Sequence, residues 1–180
     1  MKVLETPLHG AVIISPQVFE DERGYFLESY SEKAFVELGI GQKFVQDNHS
    51  YSKRGVLRGL HYQIQKPQGK LVRVVEGEIL DVFVDLRKSS PSFGRWHGTR
   101  LSGKNHLMVW IPQGLAHGFY VLSENAHVLY KSTEFYFAEL ERTILWNDPE
   151  LNILWEIVGE PLLSAKDRHG TAFRTAECFE

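Results

Sequence analysis

His61 is the residue whose type and setting first suggest chemistry in this sequence. It lies in the segment Arg-Gly-Leu-His-Tyr-Gln, three positions after Arg58. An imidazole titrates near neutral pH, so it can serve as a general acid or base. A single strand histidine can equally be a hydrogen-bonded structural residue, and spacing alone does not separate the two roles. On a strand over 55–63, alternation would put Arg58 and His61 on opposite faces, unless a bulge at Gly55 or Gly59 re-aims them.

A second segment with chemical potential is Pro-Gln-Gly-Leu-Ala-His at 112–117. It has the form PxGxxH and resembles the second conserved motif of cupins, while a segment that begins at Gly55 resembles the first. Metal-binding cupins have a further histidine and a glutamate in the first motif. This sequence has Gln63 in place of that histidine, and Pro67 or Gln68 at the glutamate position. Too few good ligands remain for a transition-metal site, and we expect a cupin pocket adapted to something other than metal chemistry.

Strands must supply most of the framework for these side chains. Eight short segments are rich in β-branched and aromatic residues and are separated by turn residues. In 77–86, one face is apolar and the other is mixed and includes Asp81 and Asp85, as in a barrel wall whose mixed face lines a pocket. The predicted strands are 9–16, 43–50, 55–63, 70–77, 77–86, 107–112, 117–123 and 127–136.

Helices are few. Ser31 is a plausible N-cap, apolar spacing follows over 32–38, and Gly39 is suited to end the helix. Short helices near 137–142 and in the C-terminal tail are only weakly signalled. Many short strands with few helices indicate an all-β sandwich or barrel. Together with the cupin-like segments, they predict a mainly β, cupin-type jelly-roll β-barrel or sandwich with a few short helices.

Composition excludes several classes of protein. The chain has 180 residues, which fits a single domain over 1–180, and a net charge of −3 with acids and bases mixed. That charge argues against a nucleic-acid-binding protein. The lone Cys178 permits neither an internal disulfide nor a cysteine-rich zinc site. Because the sequence has no apolar run of membrane-spanning length and no signal-peptide pattern at its start, we expect a cytoplasmic protein without membrane partners.

Longer segments together resemble the dTDP-4-dehydrorhamnose 3,5-epimerase family, whose members invert C3 and C5 of a 4-keto sugar on the route to dTDP-L-rhamnose. The resemblance runs in order from about residue 3 to residue 167 without large insertions, and several collinear segments are more specific than any one motif. It implies a cofactor-free isomerase acting on a dTDP-4-keto-6-deoxyhexose for surface glycans such as O-antigen. The matching segments are 19–30, 44–52, 55–63, 68–87, 107–119, 129–131, 144–151 and 163–167.

The resemblance implies a catalytic set. Epimerisation beside a ketone needs a base, a group that stabilises the enolate, and an acid on the opposite face. His61 corresponds to the base, and Asp167 to the carboxylate that orients it. Lys70 and Arg58 correspond to the cations around the C4 oxygen. Tyr130 corresponds to the proton donor, although a half-buried packing role is the alternative that its strand position alone suggests.

The resemblance also implies residues that bind the nucleotide and sugar. Arg23 and Lys166 are candidates for the diphosphate, whose oxygens suit cationic side chains. Tyr136 corresponds to an aromatic that stacks on thymine, and His117 to a group that contacts substrate. A solvated surface charge is the alternative for the charged members of this set. Further polar contacts are expected from Glu28, Gln46, Asp47, Asn48 and Glu141.

Two more expectations concern the surroundings of this site. Asp81 lies on the pocket side of its strand and is expected to orient His61 or Lys70, unless it is a solvated carboxylate. The family forms homodimers that exchange N-terminal strands. With such an exchange, Arg23 and Glu28 serve either the pocket of their own subunit or that of the neighbouring subunit, and spacing does not separate the two.

Several activities fit these residues. The first is the full 3,5-epimerase, and the second is a single-site epimerase or an enzyme for another dTDP-keto-sugar. Both use the same base, and the presence of both His61 and Tyr130 favours the first. A non-catalytic sugar-nucleotide-binding cupin is the third, but binding alone needs neither a base nor an acid. A metal-dependent cupin oxygenase ranks last because its ligands are missing.

Overall fold

The computed structural model describes all 180 residues and is built mainly from antiparallel strands. The strands are β1 (Lys2–Glu5), β2 (Val12–Ser15), β3 (Val18–Asp21), β4 (Gly24–Leu27), β5 (Gln46–Lys53), β6 (Leu57–Gln63), β7 (Lys70–Glu76), β8 (Glu78–Asp85), β9 (Trp96–Ser102), β10 (Met108–Ile111), β11 (Leu115–Val121), β12 (Asn125–Ser132) and β13 (Glu141–Thr143). The helices are α1 (Glu32–Glu37) and α2 (Ala165–Arg168), with 3₁₀ turns at Ala138–Leu140 and Phe173–Thr175. No helix here has the length and apolar character that crossing a bilayer requires.

Two sheets pack against each other. The first has six strands in the order β1-β2-β10-β7-β12-β5, and the second has five in the order β13-β6-β11-β8-β9. Strands β3 and β4 form a separate two-stranded hairpin. The crossovers between sequence neighbours carry the chain back and forth between the two sheets. This arrangement confirms the predicted mainly β, cupin-type fold with a few short helices.

The main core lies between the two sheets. Val72 and Val109 project from the six-stranded sheet, Phe83 and Phe119 project from the five-stranded sheet, and all four belong to one buried cluster. This apolar core adjoins a polar cavity between the same two sheets, since Phe119 belongs to the core and also lines the cavity. The sheets can therefore hold an open, polar cavity without losing their common core.

Both outer faces are covered in part. The even-numbered side chains of β8, such as Leu80 and Val82, pack under the C-terminal segment against Trp155. On the six-stranded sheet, α1 buries Phe35 against the strands. The helix begins as predicted, because Ser31 Oγ accepts a hydrogen bond from the backbone N–H of Ala34 at 3.5 Å.

The loop after β8 is anchored by Asp85, which is fully buried. Its carboxylate accepts hydrogen bonds from Arg87 at 2.7 and 2.9 Å, from Ser90 at 2.5 Å and from Ser92 at 2.6 Å. Burial raises the pKa of this carboxyl, but the hydrogen bonds outweigh burial and bring it to about 2. Asp85 therefore stays charged and ties the loop to the sheet.

Each predicted strand matches an observed one, but five observed strands were not predicted. Strand β1 is exposed throughout, β3 and β4 are almost entirely so, β13 has only three residues, and β9 is an edge strand with little apolar alternation. Such strands bury too little on either face to produce the patterns used for prediction. The strand expected over 127–136 ends at Ser132, beyond which the chain turns across the mouth of the cavity.

Candidate active site

A polar cavity of about 370 Å³ opens between the sheets. Only three of its fifteen lining residues are hydrophobic, so it suits a hydrogen-bonding ligand such as a sugar nucleotide. Ten of the predicted site residues line it: Gln46, Asn48, Arg58, His61, Lys70, His117, Tyr130, Tyr136, Glu141 and Lys166.

Two glycines bring Arg58 and His61 to the same side of β6. The register of β6 against β11 shifts by one residue at this point, which is the bulge that the sequence left open. Gly59 has φ +119°, and a Cβ there would lie 2.5 Å from the Cα of Gly118 and 2.7 Å from the carbonyl oxygen of His117. Only glycine permits this close approach. The bulge at Gly59 therefore interrupts the alternation of side chains along β6, and both Arg58 and His61 face the cavity.

His61 forms a tight pair with Asp167, its Nε2 lying 2.6 Å from the Asp167 carboxylate oxygen Oδ1. Asp167 lies in α2 and also accepts hydrogen bonds from the backbone N–H of Gly59 and from Ser164. Burial lowers the pKa of His61, and the hydrogen bond with Asp167 offsets only part of that effect. The lowered pKa favours the neutral imidazole, the form that can accept a proton.

Lys70 and Tyr130 belong to the sheet that faces His61 across the cavity. Burial lowers the pKa of Lys70 to about 8, against the charges of Glu141 and Asp81. The amine therefore stays cationic at neutral pH. Burial raises the pKa of the Tyr130 phenol, which keeps it protonated. The His61 imidazole thus faces the Tyr130 phenol across the cavity, and the Lys70 amine lies 5.9 Å from the centre of the phenol ring.

Asp81 has a different partner from the one we expected. It is fully buried, and its Oδ2 lies 2.7 Å from His117 Nε2. The prediction that it orients His61 is wrong because Asp167 already holds that imidazole, and Lys70 feels Asp81 only through its charge. The neighbouring strands β8 and β11 bring Asp81 beside His117 instead. His117 is thereby fixed as a second imidazole in the cavity wall.

The mouth of the cavity carries a connected polar group. Glu141 Oε2 accepts hydrogen bonds from Lys166 Nζ at 2.7 Å and from the Tyr136 hydroxyl at 3.0 Å. The backbone N–H of Tyr136 donates to Gln46 Oε1 at 3.1 Å, and Gln46 Nε2 donates to Asn48 Oδ1 at 2.9 Å. These contacts hold an aromatic ring, a cation and two amides at one rim.

Three predicted binding residues lie elsewhere in this chain. Asp47 points to the other face of β5, where it pairs with Lys131 at 2.8 Å, so the prediction that it lines the pocket is wrong. Alternation on β5 explains this, since its neighbours on either side face inward. Arg23 lies in the β3–β4 hairpin and pairs with Asp21, and Glu28 follows that hairpin. Neither lines the cavity.

Sequence reasoning missed several residues of the cavity wall. A sequence signal was present for Ser50. It belongs to an alternating polar row on β5, a strand of the sandwich, and the other members of that row are Gln46, Asn48 and Ser52. A polar inward face predicts a cavity rather than a packed core. No comparable signal pointed to the others. The missed lining residues are Ser50, Gln68, Gly118, Phe119 and Ser132.

The residues where a cupin would hold metal have other partners. No group of three or more His, Cys, Asp and Glu side chains is arranged to hold an ion. Gln63, at the position of a metal-binding histidine, donates to the carbonyls of Lys66 at 2.6 Å and Phe135 at 3.1 Å and accepts from the N–H of Phe137 at 2.8 Å. Its amide is thus committed to holding the loop at the cavity mouth.

Comparison with known proteins identifies the family. The sequence model of the dTDP-4-dehydrorhamnose 3,5-epimerase family matches residues 5–175. The chain is similar to dTDP-4-dehydrorhamnose 3,5-epimerases of Pseudomonas aeruginosa, at 57% identity over 99% of both chains, and of Shigella flexneri, at 53% over 99% of both. It is also similar to the crystal structure of the dTDP-6-deoxy-D-glucose-3,5-epimerase of Legionella pneumophila in complex with dTDP-4-keto-L-rhamnose. That comparison has a TM-score of 0.95 and 48% identity, covering 98% of this chain and 94% of the other. With its full-length match in sequence and in fold, this chain belongs to the dTDP-4-dehydrorhamnose 3,5-epimerase family.

Proposed function

We propose that the chain epimerises dTDP-4-dehydro-6-deoxyglucose at C3 and C5 to give dTDP-4-dehydro-L-rhamnose, by proton transfer alone. The observation that carries the proposal is the arrangement of His61, Tyr130 and Lys70. His61, paired with the Asp167 carboxylate, lies in one wall of the cavity. Tyr130 and Lys70 lie in the facing wall. Inverting a carbon beside a ketone requires a base and an acid on opposite sides of the sugar, together with positive charge at the ketone oxygen.

In the proposed first step, His61 removes a proton from C3 or C5. The electrons of that C–H bond form a C=C bond to C4, and the ketone becomes an enolate. Lys70 and Arg58 are the cations placed to stabilise the enolate oxygen, and both line the cavity. Removing one preorganised donor of this kind typically lowers the rate by about 10² to 10³.

In the proposed second step, Tyr130 gives its phenol proton to the opposite face of the same carbon. The C4 ketone re-forms and the configuration is inverted. His61 loses its proton to solvent, and Tyr130 regains one. The site contains two imidazole–carboxylate pairs. We assign proton abstraction to His61, which pairs with Asp167, and substrate contact to His117, which pairs with Asp81.

The nucleotide is proposed to bind at the rim. Lys166 offers charge for the diphosphate, Tyr136 offers a ring for stacking on thymine, and Gln46, Asn48 and Glu141 offer polar contacts. A bound diphosphate would compete with Glu141 for Lys166. The ion pair with Glu141 therefore holds the Lys166 ammonium group at the rim, where the diphosphate is proposed to bind. The Legionella relative, solved with dTDP-4-keto-L-rhamnose, supports this choice of ligand.

The proposal includes a homodimer in which the β3–β4 hairpin reaches the neighbouring subunit. Strand β1 pairs with β2 of its own chain, so this hairpin is the N-terminal element free to be exchanged. Phe19, Tyr25 and Phe26 on it are 55%, 56% and 70% exposed, which favours burial against a partner. In a dimer of this kind, Arg23 and Glu28 would complete the partner's nucleotide site.

The proposed place of action is the cytoplasm. A chain with one cysteine forms no internal disulfide. Its stability therefore does not depend on the oxidising conditions under which disulfides form.

Incubation with dTDP-4-dehydro-6-deoxyglucose in D₂O tests the activity directly, with deuterium counted at C3 and C5 by NMR. The full reaction places deuterium at both carbons and inverts both. Exchange and inversion at a single carbon would instead identify a single-site epimerase. Absence of exchange despite tight binding of dTDP would identify a binding protein.

A further inference from the structure

Ser164 lies outside the cavity but contacts the carboxylate that holds His61. Its hydroxyl donates to Asp167 Oδ2 at 2.6 Å and accepts from the backbone N–H of Asp167 at 3.2 Å. The other carboxylate oxygen, Oδ1, accepts from the N–H of Gly59 at 3.2 Å and lies 2.6 Å from His61 Nε2. Both oxygens are thus occupied, and the carboxylate has one orientation.

We propose that Ser164 is a positioning residue for the reaction, whose hydroxyl turns the Asp167 carboxylate so that Oδ1 faces His61. The inference rests on the proposed role of His61 as the base. Ser164 touches neither the cavity nor His61, so it acts only through Asp167.

The backbone around Ser164 is fixed to the same strand that carries the base. The carbonyl of Leu162 accepts from the N–H of Leu57 at 3.0 Å, and the N–H of Leu162 donates to the carbonyl of Gly55 at 2.7 Å. Ser164 is two residues further along, and its carbonyl accepts from the N–H of Arg168 at 3.1 Å to start α2. Because Ser164 and His61 are both anchored on β6, the sheet sets the geometry between them.

The hydroxyl also tunes the charge that His61 meets. A donor at Oδ2 withdraws negative charge from the carboxylate. Without that donor, Asp167 would favour the imidazolium more strongly and the pKa of His61 would rise. The protonated, inactive form of the base would then persist to higher pH. The acidic limb of the kcat/KM profile should therefore move to higher pH when the hydroxyl is removed.

An N-cap serine can also act only as a cap, so the experiment must separate the two roles. Ser164→Ala removes both the cap and the donor. Ser164→Gly removes the donor but costs the cap little, since glycine is tolerated at that position. Ser164→Thr restores the hydroxyl. Ser31→Ala at the start of α1 is the matched control, because Ser31 caps a helix none of whose residues lines the cavity.

We expect Ser164→Ala and Ser164→Gly to lower kcat about 10- to 100-fold with KM nearly unchanged, the loss that follows from removing a hydrogen bond to a charged group. The midpoint of the His61 titration, followed by NMR, should rise in both variants and return in Ser164→Thr. Ser31→Ala should lower Tm without changing either quantity.

The proposal is overturned if Ser164→Gly keeps the wild-type kcat and the wild-type His61 midpoint, since Ser164 would then be a helix cap only. A failure of the wider function would look different. If His61→Asn still exchanged substrate protons with D₂O, the base would be another group. The His61 midpoint in Ser164→Ala and Ser164→Gly would still decide whether Ser164 controls the pair.

Discussion

Tyr130→Phe separates removal of the substrate proton from its return on the other face. The Tyr130 hydroxyl makes no hydrogen bond to another protein group, and the side chain lines the cavity. Its loss therefore leaves no partner unpaired, and we expect the free energy of unfolding to change by no more than about 0.5 kcal/mol. His61 and Asp167 are untouched and should still form the enolate.

The inverted product should form about 10² to 10⁴ times more slowly, the usual effect of losing a general acid. That range corresponds to roughly 3–5 kcal/mol of transition-state stabilisation. His61 can meanwhile return a solvent deuteron to the face from which it took the proton. We therefore expect deuterium at C3 or C5 with retained configuration, followed by NMR in D₂O.

Tyr62→Phe is the matched control. Its hydroxyl donates to the carbonyl of Glu177 at 2.7 Å on the far side of the five-stranded sheet. Removing it should cost about 1 kcal/mol of stability and leave inversion and exchange unchanged. Inversion at the wild-type rate in Tyr130→Phe would refute the assignment, since a water or another residue would then supply the proton.

Further predictions concern the base, the cation, the buried loop anchor and metal. His61→Asn should abolish proton exchange at both carbons without weakening dTDP binding in calorimetry. Asp167→Asn should lose less of the exchange rate because Asp167 only orients the base, and an equal loss of exchange in the two variants would contradict that order. With a pKa of about 8, Lys70 is charged below that pH, so kcat/KM should fall above about pH 8, whereas a flat profile to pH 9 would argue against its role. In urea denaturation, Asp85→Asn should lower the free energy of unfolding by about 3 kcal/mol because it breaks a buried ion pair. Glu180→Gln, which removes the exposed pair with Lys88, should change it by almost nothing. Similar losses in the two variants would mean that burial of the ion pair does not determine its contribution. EDTA should leave the rate unchanged, and loss of activity restored by a divalent metal would overturn that expectation.

Local patterns were sufficient for the strands that face the core. In β8, alternation correctly separated the apolar outer face, with Leu80, from the mixed inner face, with Asp81. The same rule would have excluded Asp47 from the cavity had it been applied to β5. Strands at the edges and in the hairpin escaped prediction because little of their surface is buried.

Long-range partners were not predictable from spacing. Asp167 and His61 are separated by 106 positions, and only the family resemblance paired them. Asp81 met His117 rather than His61 because the pairing of β8 with β11 decides which side chains adjoin, and no local pattern encodes that pairing. Ser164 showed no signal, since its role depends on a carboxylate whose own partner was unknown from the residues alone.

The contact between Gly59 and Gly118 limits how this enzyme can be re-engineered. Any side chain at Gly59 would meet the backbone of β11, and a Cβ at Gly118 would lie 2.6 Å from the carbonyl oxygen of Arg58. A mutant library that varies either glycine would therefore consist largely of misfolded or inactive members. Diversity placed at the inward positions of β5, such as Ser50, would change the shape of the cavity while keeping the close pairing of β6 with β11 that positions His61. The two walls thus differ in mutational tolerance: the glycine contact makes the wall of β6 and β11 intolerant of added side chains, whereas β5, at the edge of the facing sheet, has room for changes in sugar specificity.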